Sequence, residues 1–122
     1  MANELTVVAS LQATKGNLEV GRQATVRATM TGNKLAAQGQ TIGTTAESLA
    51  LNPDIATAGY AWLRNLDTTN YVEVGKNVSG TFHGLIKLKP GEVGMFRWAD
   101  TTSVVARANI APIVLEHWTL ED

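Results

Sequence analysis

Few side chains in this sequence are of the types that carry covalent or acid–base chemistry, and their spacing does not gather them. The two histidines are His83 and His117, and neither falls in a metal-ligand spacing such as His-x-x-x-His. Each sits inside a segment patterned like a β-strand, so a surface or sheet-packed histidine is expected. Glu73, Glu92 and Asp100 fall near strand ends. Two such carboxylates at the right separation do glycoside chemistry; solvated strand-end charge is the plainer reading. No Gly-x-Ser-x-Gly elbow, EF-hand loop, phosphate-cradling glycine loop or Rossmann fingerprint is present. There are no cysteines, which excludes disulfides, thiol nucleophiles and Cys-ligated zinc. No catalytic, cofactor-binding or metal-ligating residue is assigned, and no enzyme is expected.

Trp62, Trp98 and Trp118 are the remaining residues with a recognisable use. Gathered on one surface, tryptophans stack on sugar rings. Each of these lies in a strand beside apolar partners, so core or interface packing is the expectation. Asn77-Val78-Ser79 spells a glycosylation sequon. The beginning MANELTVVAS shows no basic region followed by an apolar run of signal-peptide length, so the match is read as accidental.

The elements that would position these groups are strands. Leu5, Val7, Ala9 and Leu11 lie on one face with Thr6 and Ser10 on the other, as in a half-buried strand, and Thr14-Lys15-Gly16-Asn17 turns the chain. A second strand is expected from about Leu18 to Met30, then a turn at Thr31-Gly32-Asn33-Lys34. The Ala-, Gln- and Gly-rich run Leu35–Gly43 reads as a long connection with a short strand near Thr41. Thr44-Thr45-Ala46-Glu47 has the form of a helix capping box, but Pro53 leaves under two turns, so a strand over Glu47–Leu51 is preferred. Asn52-Pro53-Asp54 turns the chain.

Gly59–Trp98 is the best-punctuated stretch and holds all but one of the aromatic residues. Strands are expected over Tyr60–Leu66, Tyr71–Val74, Thr81–Lys89 and Val93–Trp98. Phe82, Gly84, Ile86 and Leu88 are placed on one side of the third. Asp67 is expected to bond its own backbone. Gly75–Gly80 reads as a polar loop, and Lys89-Pro90-Gly91-Glu92 as a type II turn. A strand carrying Val104, Ala106 and Ala108 on one face follows, and Ile113–Leu120 closes the fold. Eight or nine strands spaced about 8–12 residues apart describe an all-β, antiparallel sandwich, jelly-roll-like, with little or no helix. The whole span, 1–122, is taken as a single domain.

Composition narrows the partners. The chain has 122 residues, 44% hydrophobic and 17% charged, with net charge −1 and a pI of 6.1. The charged share is below the roughly 25% of an average chain. Such a surface suits packing against protein, or follows simply from a Thr-rich β-protein. Without a basic stripe, counterion release offers nucleic acid little, and no apolar run approaches membrane-spanning length.

From Gly39 onward the chain resembles a family of small virion proteins of tailed bacteriophages. The resemblance rests on the NLDTTNYVEVG segment (Asn65–Gly75), the LKPGE turn (Leu88–Glu92) and the acidic end after an aromatic strand (Leu115–Asp122). It covers roughly the last two-thirds; Met1–Gln38 resemble nothing specific. It implies a structural role, as decoration or cement protein on the capsid exterior, assembled in the bacterial cytoplasm. The implied partner is the major capsid protein or another virion protein, and the implied state is a homo-oligomer, a trimer by family habit. Tail, neck and fibre components, including carbohydrate- or receptor-binding modules, use similar sandwiches and form the alternative. Met1–Leu11 or Leu35–Gly43 is the expected adhering segment.

Overall fold

The structure, a computed structural model, describes residues 2–51 and 53–122. The chain forms two compact units, Met1–Gly32 and Asn33–Asp122, which divide within the turn expected at Thr31–Lys34. The single domain expected over 1–122 spans both.

The first unit is a hairpin of β1 (Leu5–Lys15) and β2 (Leu18–Ala28), paired without interruption from Leu5↔Ala28 to Lys15↔Leu18. Gly16 takes φ 59° at the first of two loop positions, where a type II′ turn needs glycine.

The second unit contains β3 (Leu35–Ile42), β4 (Glu47–Ser48), β5 (Ala58–Asn65), β6 (Val72–Val78), β7 (Thr81–Leu88), β8 (Val93–Arg97), β9 (Val104–Ala108) and β10 (Ile113–Glu121). They form two four-stranded sheets, β3-β10-β5-β8 and β4-β9-β6-β7, with antiparallel pairing throughout. The protein is all-β and sandwich-like, with ten strands and no helix among the described residues. The pairing is nested: β3 lies beside β10, β4 beside β9, β5 beside β8 and β6 beside β7.

Both sheets bury one face. Ile42, Leu63, Ile113 and Leu115 come from the first sheet, and Val72, Val74, Leu88, Val104, Ala106 and Ala108 from the second. Fully burying each of the Ile, Leu and Val side chains contributes roughly 1.5–3 kcal/mol and the two alanines less, which makes this cluster the main source of stability.

Several expectations are revised. Leu35–Ile42 is a paired strand, not a connection. Its inward positions include Gln38 and Gln40, so polar residues sit where an apolar alternation would have marked a strand. The strand at Glu47 is only two residues long. Of the Asn52-Pro53-Asp54 turn, Asn52 lies outside the described residues, and Pro53 and Asp54 are in a turn. β6 runs on to Val78, and the expected Gly75–Gly80 loop shrinks to Ser79-Gly80. Both residues have positive φ (53° and 81°), as a type I′ turn requires. Val74 pairs with Ile86 and Gly75 with Gly84, which leaves Leu85 as the extra residue of a β-bulge. That single insertion flips the side-chain alternation. Ile86 and Leu88 face the core, while Phe82 and Gly84 turn outward, Phe82 beneath the Arg107 guanidinium at 4.2 Å. The Lys89–Glu92 turn forms as expected, with Gly91 at φ 78° and the Glu92 N–H donating to the Lys89 carbonyl at 3.0 Å.

Candidate interaction face

The two sheets present different outer faces. That of β4-β9-β6-β7 is charged: Arg107 pairs with Glu73 at 3.5 Å, and Lys87 lies 4.2 Å over the Tyr71 ring. The outer face of β3-β10-β5-β8 is aromatic and apolar. Register places Ala37, Trp118, Trp62 and Met95 in one row across its four strands. Gly39, Glu116, Arg64 and Val93 form the next row. Trp118 and Trp62 are direct cross-strand neighbours. The Trp62 indole N–H donates to Glu116 Oε1 at 2.8 Å, which fixes that ring. Trp118 has only Ala37 beside it on β3, too small to cover it, and stays 46% exposed. Met95, Val93 and Val114 are exposed on the same face, and Arg97 reaches 5.7 Å over Tyr60 while pairing with Asp122 at 2.8 Å. Trp98 differs. It packs edge-on against Phe96 (centroids 4.8 Å apart), partly buried against the core, and its indole N–H donates to Thr119 Oγ1 at 3.2 Å. Core packing therefore describes Trp98, and a shared exposed face describes Trp62 and Trp118.

The histidines and carboxylates of the sequence reading are not brought together. His83 is exposed. Glu92 accepts the Lys89 N–H at 2.7 Å within its turn. Asp100 accepts from Thr102 N–H at 2.8 Å and pairs with Lys76 at 3.1 Å; these bonds hold its carboxyl down to about 2. Clefts along the sandwich measure 220, 300 and 410 Å³, lie open to solvent, and none is lined by a histidine.

His117 is 1% exposed on the inner face of β10, a position that pattern reading could not assign because Leu115 and Thr119 flank it there. Its Nε2 lies 3.0 Å from Gln40 Oε1, which also accepts the Ala50 N–H at 2.9 Å, while Gln40 Nε2 donates to Ser48 O at 3.0 Å and Glu47 Oε1 at 3.4 Å. An oxygen acceptor at that distance calls for Nε2–H, leaving Nδ1 as a buried acceptor without a partner. Burial pushes the imidazole below its ordinary value. The folded state therefore resists a proton that the unfolded chain accepts, and stability falls as pH drops below about 6.5, the unfolded value. One proton limits the slope to about 1.4 kcal/mol per pH unit. Urea midpoints measured from pH 7.5 to 5 check this. His117→Gln is expected to flatten the slope, because Gln is not protonated there.

A second polar node lies at the C-terminal end of β5. Asn65 is fully buried. Its side-chain amide donates to Asn70 O at 2.9 Å and Leu88 O at 3.0 Å, and its Oδ1 accepts the Asp67 N–H at 2.9 Å. Its backbone accepts from Gly91 N–H at 2.9 Å and donates to Glu92 O at 3.0 Å. Asp67 in turn accepts from Asn70 N–H at 2.6 Å and Thr69 N–H at 2.9 Å, and these bonds lower its carboxyl pKa. One residue thus ties the NLDTTN loop to the KPGE turn.

Comparison with family models, with curated proteins and with solved structures found no match.

Proposed function

We propose that this chain is a non-enzymatic structural protein of a tailed-bacteriophage virion. In this reading it is a capsid decoration or cement protein, assembled in the host cytoplasm, that binds the major capsid lattice from outside as a homo-oligomer. The observation that carries the binding role is the outer face of β3-β10-β5-β8, which Trp62, Trp118, Tyr60, Met95 and Arg64 share. Tryptophan, tyrosine, methionine and arginine are the residues enriched in protein interfaces. The identification with virions rests on the resemblance of the Asn65–Gly75 and Leu88–Glu92 segments, which Asn65 joins. The nested first-with-last strand pairing, the order carried by jelly rolls of capsid proteins, supports it. Binding to the assembled lattice raises capsid stability by mass action, and symmetric copies multiply a modest contact.

Co-sedimentation with capsids that lack the protein tests this. Trp118→Ala and Trp62→Ala are each expected to weaken binding about 30-fold, a loss of about 2 kcal/mol. Trp98→Ala is expected to lower the protein's own melting temperature instead. Unchanged capsid binding by both face variants would remove this surface from the proposal, and no binding by the wild type would remove the decoration role.

The Trp62–Trp118 pair also favours a second reading, a glycan- or receptor-contacting module of a tail, neck or fibre, because an exposed indole beside a half-buried one offers a surface on which sugar rings stack. Glycan binding that is lost in the same two variants, without head binding, distinguishes it.

A further inference from the structure

We infer that Arg64 is the charge-reading residue of the Trp62–Trp118 face and pairs with an aspartate or glutamate side chain of the capsid subunit that covers it, an inference that rests on the decoration reading and names what that partner carries. Arg64 is exposed on β5, an inner strand of its sheet, two residues from Trp62 and on the same face. Register sets Glu116 of β10 directly across from it on one side and Val93 of β8 on the other. An opposite charge directly across a strand pair is the usual partner of an arginine. Here Glu116 accepts the Trp62 indole N–H at 2.8 Å instead, and no ion pair with Arg64 forms among the described residues. The other two arginines of the second unit are both engaged, Arg97 with Asp122 and Tyr60, Arg107 with Glu73 and Phe82.

A protein that covers Trp62 and Trp118 also covers Arg64, which lies in the adjoining row between Glu116 and Val93. Taking a guanidinium out of water without an anion is costly, so the covering surface supplies one. The neighbourhood selects its kind. Glu116 stands beside Arg64, so a doubly charged phosphate would meet one cation and one anion and gain little. A carboxylate is a single charge with two oxygens, matched to two parallel guanidinium N–H groups. The exposed side chains around it on this face are Val93, Met95 and Val114. They give no hydrogen bond to sugar hydroxyls, but they fit the apolar stem of a protein side chain. That environment favours a glutamate or aspartate of a protein over an acidic glycan.

Binding to capsids that lack the protein is measured by co-sedimentation at low and high salt for the wild type, Arg64→Gln, Glu116→Gln and, on the other sheet, Lys87→Gln. Arg64→Gln is expected to weaken binding at least tenfold at low salt and to lessen its salt dependence. Glu116→Gln is expected to tighten binding about threefold. Its amide oxygen still accepts the Trp62 indole N–H, while the charge that repels the partner's carboxylate is gone. A merely structural role for either residue would not give opposite signs at neighbouring positions, and neither substitution is expected to move the melting temperature. Lys87→Gln is expected to bind as the wild type does. The reverse pattern, loss in Glu116→Gln and none in Arg64→Gln, means a cation on the partner and overturns the inference. So does binding that is unchanged in both while Trp118→Ala still weakens it, which leaves the face itself standing. No binding by the wild type removes the decoration reading and this inference with it. Oligogalacturonate binding that Arg64→Gln abolishes, without head binding, moves the carboxylate to a sugar and overturns the protein partner.

Discussion

Gly75→Ala is expected to remove about 3 kcal/mol or more of stability, lowering the melting temperature of the second unit by about 12 °C or more. Gly75 sits in β6, paired with Val105 of β9 on one side and Gly84 of β7 on the other. At the bulge the β7 backbone crosses so close that a methyl group at Gly75 would collide with the His83 carbonyl group and lie 2.9 Å from the Gly84 Cα. These are backbone atoms held by ladders on both sides, so no rotamer change relieves the overlap. The φ of Gly75 is not in the left-handed region, so the requirement is for space and not for conformation. Gly84→Ala is the control. Its added methyl would meet chiefly the Glu73 carboxylate and the edge of the Phe82 ring, both at side-chain ends that can move. A Gly84→Ala loss of under about 1 kcal/mol is expected. Equal losses at the two positions in thermal denaturation would refute the backbone argument.

Asn65→Asp is expected to cost about 3 kcal/mol at pH 7 although the two side chains have the same shape. The asparagine amide donates to two carbonyl oxygens, of Asn70 and Leu88, in a fully buried site. Aspartate places an oxygen against both. It either stays charged and repelled or takes up a proton that satisfies one carbonyl alone. Its folded-state pKa therefore rises above the unfolded value of about 3.9. With that sign, the deficit grows as pH rises above about 4 and shrinks on acidification. Asn65→Ala leaves the same two acceptors and the Asp67 N–H unpaired, but with no titrating group its loss stays level across the range. Urea midpoints of both variants at pH 4.5 and 7 separate the two behaviours, and a level deficit in Asn65→Asp would contradict this account.

The strands with apolar residues at every second position were legible from sequence: β1, β2, β5, β9 and β10 lie where alternation puts them, and Lys89–Glu92 turns as its Pro-Gly pair demands. β3 was hidden because Gln38 and Gln40 occupy inward positions that Leu or Val would normally fill. The reason for Gln40, the bond to His117, lies on a strand far away in sequence. The continuation of β6 was hidden by the glycine and polar residues of Gly75–Asn77, and the outward turn of Phe82 by a bulge whose glycines, Gly75 and Gly84, read along the chain as a loop residue and an ordinary strand position. The aromatic face was the least legible part. Three tryptophans in strands look alike along the chain, and their separation into Trp98 inside and Trp62 with Trp118 outside depends on register alone.

The nested pairing also dictates an order of events during synthesis. The innermost pair, β6 and β7, is separated by two residues and can zip as soon as it emerges. β3 must wait for β10, the last strand in chain order, which fills the place between β3 and β5. Until then two strands have unpaired edges and the tryptophan-bearing sheet is split, so the nascent chain is most prone to aggregate just before β10 arrives. Loop closures of such length make folding slow, on the scale of milliseconds to seconds typical of β-sandwiches. The few charges on the chain, 17% of its residues, give a part-folded chain little electrostatic protection against association.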